Sequence, residues 1–245
     1  MKKVLLLLIS LSFIGCSSVD LGSSLSSLEL GEALSTEDEA NRILALGMSH
    51  EENLKEASKL DSPHKISVVT LKLINARDEK VQYEIDQIES AKLVDQVIVS
   101  NNGLKIVGSN ATDLIKTGIL ETDSDLLNYF IEGVKDTNDV NFQHNLQLTI
   151  THNSKNKREY LSAVFCDEWG RCDGEVQNLI ILSSIATNCS STSCDYNESM
   201  KLELSEVFLK NMINNGFTMK LTSKKKSHKI KVSRPYLMSY LSYFE

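Results

Sequence analysis

The sequence predicts an α+β fold dominated by β-structure: a twisted antiparallel sheet or a sandwich of about eight to ten strands, with helices packed against it. Three observations support this fold class. Apolar and polar residues alternate with a period of two through most of the second half. An Asn-Gly pair at 102–103 suits a tight hairpin turn, and a serine and a glycine bracket an apolar segment at 205–216.

The elements of the first half follow from spacing and turn residues. Alternation predicts two half-buried strands, Val69–Leu73 and Val81–Ile85, joined by a polar turn over Ala76–Lys80. A hairpin follows, with strands Val97–Ser100 and Leu104–Val107. Two helical segments are expected after it, Thr112–Lys116 ended by Gly118, and Ser124–Val134 capped by Asp123 or Ser124.

The second half is more decisively β. Further strands are predicted at Leu146–Ile150, Tyr160–Phe165, Leu179–Ile185, Met200–Leu204, Phe217–Leu221 and Ile230–Val232. Ser205 caps a helix that runs to about Asn215, and Gly216 ends it. A final helix begins near Ser233 and Pro235. It is apolar on nearly every side, so it has to be covered, most simply by the sheet.

The chain divides into three parts by composition. Residues 1–15 are a candidate export signal, and residues 16–62 are a tether that holds up to two short helices between 36 and 60. Pro63 is expected to end this tether. Residues 63–245 form the globular α+β domain, with a subdivision possible near 140.

The first sixteen residues carry the clearest functional signal. Lys2 and Lys3 precede an apolar run, Val4–Ile14, which is too short for the roughly 20 residues of a membrane-spanning helix. A small residue and Cys16 end the run. This segment resembles a bacterial lipoprotein signal with Phe13–Cys16 as its lipobox, although that family usually has Leu where Phe13 stands.

The resemblance implies a location. Cleavage before Cys16 would leave that cysteine with a diacylglyceryl group and an acylated amine, palmitate-like chains that anchor the protein to a membrane for long periods. Ser17 is compatible with sorting to the outer membrane, facing the periplasm or the cell surface. An ordinary secretory signal with a chance cysteine is the alternative.

The charge of the chain argues against nucleic acid as a partner. Without Lys2 and Lys3 the chain has 24 basic and 33 acidic residues, a net charge of −9. An acidic surface repels polyanions through its overall field.

Four further cysteines, Cys166, Cys172, Cys189 and Cys194, predict disulfides in an exported chain. Three pairings are possible, and the two local ones, Cys166–Cys172 and Cys189–Cys194, are favoured. A four-thiolate zinc site is the alternative. Five and four residues separate the partners, whereas zinc knuckles usually place two to four residues between their cysteines.

The loop between Cys166 and Cys172 is the first tentative binding site. It holds Trp169, the only tryptophan of the chain, and Arg171 among several carboxylates. An ordered aromatic residue on a loop is a good anchor for a sugar or a protein. The arrangement that we favour is a hairpin end in which Trp169 folds back onto the sheet.

The second tentative site is the cluster of Lys224, Lys225 and Lys226, with Lys229 and Lys231 nearby. These lysines suit lipid phosphates or an anionic glycan. The favoured interpretation is a solvated hairpin tip whose charges prevent edge pairing.

No arrangement of residues predicts catalysis. Ser62–Lys65, Ser100–Asn102 and Lys116–Gly118 resemble the three motifs of penicillin-binding proteins, but only thirteen residues separate the last two. In those proteins the serine of the first motif lies at the start of a helix, whereas a strand is predicted here from Ile66 onward.

The histidines do not predict a metal site either. His144 and His152 lie about 27 Å apart on one strand, so they cannot share a metal ion. His50, His64 and His228 are expected in solvated loops. We therefore expect no catalytic residue, no metal and no cofactor.

Two functions remain open. The first is a non-enzymatic lipoprotein of the cell envelope that binds a protein or a glycan as a binding or assembly module. The second is an envelope hydrolase with a dispersed active site, in which some Asp, Glu or His in a cleft would have a strongly perturbed pKa.

Overall fold

The computed structural model describes residues 36–116, 124–139, 141–224 and 226–244. The predicted signal at 1–15, Cys16, the tether up to residue 35, the helix-ending Gly118, Asp123 and Lys225 lie outside the described residues. By its internal contacts the chain separates into two units, 1–80 and 81–245. The boundary falls within one long helix.

The first unit is helical over its described part. It contains α1 over residues 36–45, α2 (His50–Ala57) and the first half of α3 (Pro63–Val94). Ser49 and Glu52 form the reciprocal capping box at the start of α2 that the sequence indicates. The three helices bury a small apolar cluster formed by Ala40, Ile43, Ala57, Val69 and Leu73.

The prediction of two strands in the region of α3 is wrong. Residues 63–94 form one continuous helix, and Pro63 begins it instead of ending the preceding region. Val69 and Leu73, one helical turn apart, are buried, whereas Leu71 between them is 59% exposed. Ser62 accepts the backbone N–H of Lys65 (3.2 Å) at the start of this helix. The serine of Ser62–Lys65 thus does lie at the start of a helix, and only the short spacing between the second and third motifs separates this chain from the penicillin-binding pattern.

The second unit contains eleven strands among its described residues, arranged in two antiparallel sheets. They are β1 (Ile98–Ser100), β2 (Lys105–Val107), β3 (Ala111–Lys116), β4 (Ser124–Val134), β5 (Gln143–Ser154), β6 (Tyr160–Phe165), β7 (Val176–Asn178), β8 (Ile180–Thr187), β9 (Cys194–Leu204), β10 (Phe217–Ser223) and β11 (Ser227–Val232). The larger sheet has the order β1-β2-β4-β5-β9-β8, and β3 also pairs with β4. The smaller sheet has the order β11-β10-β6-β7.

The helical predictions for Thr112–Lys116 and Ser124–Val134 are wrong, because these residues form β3 and β4. Leu127 and Ile131 are one helical turn apart, and this spacing favoured a helix. In the structure both belong to an alternating inward row that also includes Tyr129. The pairing of β4 with β5 along nine successive residue pairs stabilises the strand over the helix.

The two sheets pack face to face around one apolar core, so the predicted β-dominated α+β fold with packed helices is confirmed. The larger sheet contributes Leu127, Leu148 and Met200, and the smaller sheet contributes Met219 and Ile230. No helix of the described residues is long and apolar enough to span a membrane.

The C-terminal helix α5 (Arg234–Leu241) is buried against this core, as its apolar sequence predicts. The backbone N–H of Ile131 donates to the hydroxyl of Tyr236 (2.9 Å). Ile131 lies between the part of β4 that pairs with β3 and the part that pairs with β2. The hydroxyl of Tyr240 contacts Nδ1 of His144 (2.8 Å). Tyr236 and Tyr240 are thus buried, while Tyr243 is partly exposed.

The turns and caps of the second unit follow the sequence closely. Asn101, Asn102 and Gly103 all have positive φ angles in the β1–β2 connection. Ser205 caps α4 (Glu206–Met212) by accepting the N–H of Phe208 (3.1 Å). Gly216 adopts the left-handed conformation that ends the helical segment.

Gly216→Ala should destabilise the protein by at least about 2 kcal/mol. The residue has a φ of +69°, and an added Cβ would lie 2.4 Å from the backbone oxygen of Val232. Urea unfolding measures the change. Gly174→Ala is the matched control, since its Cβ would meet nothing nearer than 3.5 Å. Equal stability of the two variants would contradict the prediction.

Candidate functional site

The four described cysteines form two disulfides, Cys166–Cys172 and Cys189–Cys194. These are the two local pairs favoured from the sequence. Because the disulfides use all four thiols, none of these cysteines remains to bind zinc. The first disulfide closes the loop that follows β6, and the second closes the turn between β8 and β9.

The first loop is fixed by its own hydrogen bonds. Asp167 accepts the backbone N–H of Arg171 (2.8 Å) and its guanidinium Nε (2.7 Å). Gly170, in the left-handed conformation, completes the turn by donating to the Asp167 carbonyl (2.9 Å). Arg171 therefore holds the loop in shape, and its guanidinium is already paired with a carboxylate.

Trp169 lies at the tip of this loop and is 76% exposed. The expectation that it folds back onto the sheet is wrong. The tight Asp167–Arg171 turn directs the indole away from the sheet. A large apolar ring held in solvent by an ordered, disulfide-closed loop is available to contact a partner.

The lysines predicted as a second binding site lie at the tip of the β10–β11 hairpin and make local contacts there. Lys224 pairs with Glu159, and the backbone N–H of Lys226 donates to the Ser223 hydroxyl (2.9 Å) in the β10–β11 turn. The ammonium groups of Lys224 and Lys157 lower the pKa of Glu159 to about 2. Lys225 lies outside the described residues. This tip is stabilised by local contacts.

The lysine that reaches the disulfide loop is Lys229. Its Nζ donates to the carbonyl oxygen of Gly170 (2.7 Å). Strand alternation explains its direction, because His228, Ile230 and Val232 of β11 are buried while the residues between them are exposed. The outer face of the small sheet and the disulfide loop are therefore neighbours.

Lys220 of β10 lies directly opposite Lys229 in the sheet register. Their Cβ atoms are about 5 Å apart in such a pair, and like charges in this position destabilise a sheet. Lys220 is half-buried, and among the described residues neither lysine forms an ion pair. Two positive charges thus lie side by side in a chain of net charge −7.

A cavity of about 360 Å³ lies over these two lysines. Gly170, Cys172, Lys220, Ser227 and Lys229 line it, so it combines the disulfide loop with the outer face of the β10–β11 hairpin. We call these five residues with Trp169 the loop–hairpin surface. Its volume is within the range of small-ligand sites. Chemically, the cavity offers two ammonium groups and a hydroxyl, and the exposed ring of Trp169 belongs to the residue that directly precedes Gly170.

A second group of polar residues is buried between the sheets. The guanidinium of Arg158 pairs through both terminal nitrogens with Asp125 of β4, and its Nη2–Oδ1 distance is 3.0 Å. Nη1 also contacts the Tyr160 hydroxyl (3.2 Å) and Nε2 of His228 (3.3 Å). His228 is therefore buried in β11, and the expectation of a solvated loop position is wrong.

Glu198 of β9 is the second carboxylate of this buried cluster. It accepts Nε2 of His152 (2.9 Å) and the backbone N–H groups of Arg158 (2.6 Å) and Glu159 (3.0 Å). Burial alone would raise the pKa of Glu198, but these hydrogen bonds lower it. The cluster ties the β5–β6 turn to both sheets.

This cluster is built as a structural ion-pair network. Asp125, His152, Arg158, Glu198 and His228 are each at most 5% exposed. None of them lines a cavity described here. Within the described ranges no three His, Cys, Asp or Glu side chains are arranged to hold a metal ion.

Two more cavities lie between the C-terminal half of α3 and the segment around α4 and α5, with volumes of about 440 and 450 Å³. The second contains Asp86 and Arg234, which approach to 3.3 Å, and the Arg234 guanidinium also lies over the ring of Tyr83 (4.8 Å). Asp86 and Arg234 carry opposite charges that compensate each other, whereas Lys220 and Lys229 carry the same charge. The loop–hairpin surface is therefore the better candidate site.

Sequence reasoning found half of this surface. It identified Trp169, Cys172 and Lys229, but it placed the basic site at 224–226 and missed Lys220, Ser227 and Gly170. Arg171, which was also predicted to bind, does not line the cavity. The alternation of Met219 and Leu221 could have indicated that Lys220 points outward. Comparison with known protein families, with curated proteins and with solved structures found no match to this chain.

The buried cluster predicts a defined loss of stability in acid. Burial and the charge of Arg158 lower the pKa of His228 from 6.5 to about 4. Between these two values the unfolded chain binds a proton that the folded protein does not, so the free energy of unfolding falls as pH falls. This contribution is complete above pH 6.5 and is lost on the way to about pH 4.

His228→Gln keeps an oxygen that can accept from Arg158 and removes this proton uptake. When pH falls from 7 to 4.5, we expect the free energy of unfolding of the variant to fall by about 2 kcal/mol less than that of the natural protein. Urea unfolding at the two pH values measures the difference. The exposed His64→Gln variant serves as control. Identical losses in all three proteins would refute the prediction.

Proposed function

We propose that this chain is a lipid-anchored protein of the cell envelope that acts as a non-enzymatic binding module, and that its loop–hairpin surface holds an anionic glycan. The observation that carries the proposal is the pair of opposed lysines, neither of which forms an ion pair within the described part of the chain, beside an ordered loop with an exposed tryptophan. The anchoring part rests on the lipobox-like residues Phe13–Cys16.

The electrostatics favour an anion as ligand. Lys220 and Lys229 repel each other without a negative group between them, and an acidic group of the ligand would relieve that repulsion. The neighbouring Ser227 can donate or accept a hydrogen bond at the same place. Because the chain as a whole is acidic, an anion is attracted only where basic residues are concentrated, as they are on the β10–β11 hairpin.

The tryptophan favours a sugar over a simple anion. An exposed indole offers a flat apolar face that stacks on the C–H face of a sugar ring, whereas it adds little to the binding of an inorganic ion. Trp169 directly precedes Gly170, which lines the cavity. A glycan with carboxylate, sulfate or phosphate groups satisfies both features.

The lipid anchor predicts a simple change in location. Cys16→Ser removes the thiol that would be acylated, and the protein should move from the membrane fraction to the soluble fraction and lose labelling by an alkyne palmitate analogue. Ser17→Ala retains the thiol and should stay labelled. Acylation that persists in Cys16→Ser would contradict this part of the proposal without affecting the binding site.

Glycan binding is tested with the detergent-solubilised full chain and three polymers. Dextran sulfate supplies sugar and charge, dextran supplies sugar alone, and polyglutamate supplies charge alone. Since Trp169 is the only tryptophan, its fluorescence reports directly on the surface. We expect dextran sulfate to change the emission and to bind at least about tenfold more tightly than either other polymer, with an affinity that falls as salt rises.

Variants locate the binding. Lys220→Gln and Lys229→Gln should each weaken dextran sulfate binding by about tenfold. Lys210→Gln, an exposed lysine of α4 that pairs with Glu206, should leave it unchanged. The proposal fails if Lys210→Gln weakens binding as much as the two surface variants, or if polyglutamate binds as tightly as dextran sulfate.

A further inference from the structure

The strand β8 is a long, open edge of the larger sheet. It pairs with β9 on one side, and among the described strands none pairs with its other side. Seven of its eight residues are exposed. Its outer row of backbone N–H and C=O groups is therefore free to pair with another strand.

The edge strands β11 and β1 are protected, whereas β8 is not. The edge strand β11 carries exposed Lys229 and Lys231, and β1 has only three residues. Lysines and short length are the usual devices that prevent edge pairing. The sequence of β8, IILSSIAT, contains no charge, no proline and no glycine. An edge of this kind is kept in a folded protein when it has a partner.

The side chains of β8 are also apolar where they meet solvent. Ile180, Ile181, Leu182 and Ile185 are 43–56% exposed. Val176 of the preceding strand β7 is also exposed, at 60%. Large exposed apolar side chains that are contiguous along one edge mark an interaction surface.

The backbone of β8 is held in an extended conformation within the chain itself. The Cys189–Cys194 disulfide closes the β8–β9 turn, and β8 follows β9 in regular register from Ser183 to Thr187. A bulge between Ile181 and Ser183 bends only the first part of the strand. Pairing therefore costs little backbone entropy along the regular part.

We propose that β8 pairs antiparallel with β8 of a second copy of this chain, which joins the two larger sheets across a two-fold axis. A neutral strand can pair with itself without placing like charges opposite each other, whereas β11 would place its lysines against lysines. The partner is thus a strand of the same neutral, apolar character, and the chain itself supplies one.

The charges on the neighbouring strand are compatible with the antiparallel arrangement, although salt screens most of their effect at this distance. On β9, Lys201 lies beside Ile180 at one end of β8, and Asp195 lies beside Thr187 at the other end. In antiparallel pairing, Lys201 of one copy and Asp195 of the second copy lie at the same end of the paired strands. The two residues are then about 14 Å apart, because three strand spacings separate the two β9 strands. Parallel pairing would bring like charges together there.

The test uses the detergent-solubilised full chain and measures its mass by sedimentation equilibrium over a wide concentration range. We expect a dimer. Ile185→Lys places a charge on the edge and should raise the dimer dissociation constant by at least about tenfold. Val207→Lys is the matched control, because Val207 is an equally accessible apolar residue (69% exposed) on α4, and it should remain dimeric.

Hydrogen exchange distinguishes this dimer from any other. Backbone amides of Ser183–Thr187 should gain protection as the protein concentration rises, and Ile185→Lys should abolish that gain. Circular dichroism verifies that both variants remain folded. A monomer at all concentrations, a dimer that Ile185→Lys leaves intact, or unchanged exchange in β8 would each overturn the proposal. So would pairing of β8 with a different protein only.

Discussion

The buried pair of Arg158 and Asp125 is the interaction on which the second unit depends most. It joins the turn before β6 to β4, and so connects the small sheet to the large one. Removing one member of such a pair typically costs about 3–5 kcal/mol, because the other charge stays buried without a partner. Such a pair disfavours other arrangements of the two sheets, because a shift that separated the two groups would leave each charge buried without a partner.

This pair also determines where the candidate site lies. His228 of β11 contacts Arg158 and so points inward. Its neighbours Ser227 and Lys229 then have to point outward, because successive side chains of a strand alternate. The buried ion pair therefore fixes the register that places Lys229 opposite Lys220 and beneath the disulfide loop. A shift by one residue would bury the lysines and expose the core.

The errors in the N-terminal half have a common physical origin. Val81, Tyr83 and Ile85 alternate like a strand, but the preceding Ala76–Lys80 consists of helix-forming residues without glycine or proline. Local composition thus favoured a helix where periodicity favoured a strand. In β4 the reverse holds: an apolar spacing typical of a helix is overridden by the ladder with β5. Periodicity over short windows does not distinguish these cases.

The sequence by itself determined what depends on neighbouring residues. It specified the helix caps at Ser49 and Ser205, the turn at Asn102, the local disulfide pairs, the alternation of the C-terminal strands and the burial of the last helix. Only the tertiary structure decided which distant groups meet. The pairing of Arg158 with Asp125, the exposure of Trp169 and the opposition of Lys220 to Lys229 depend on strand register and sheet packing, which are set by contacts between residues far apart in the chain.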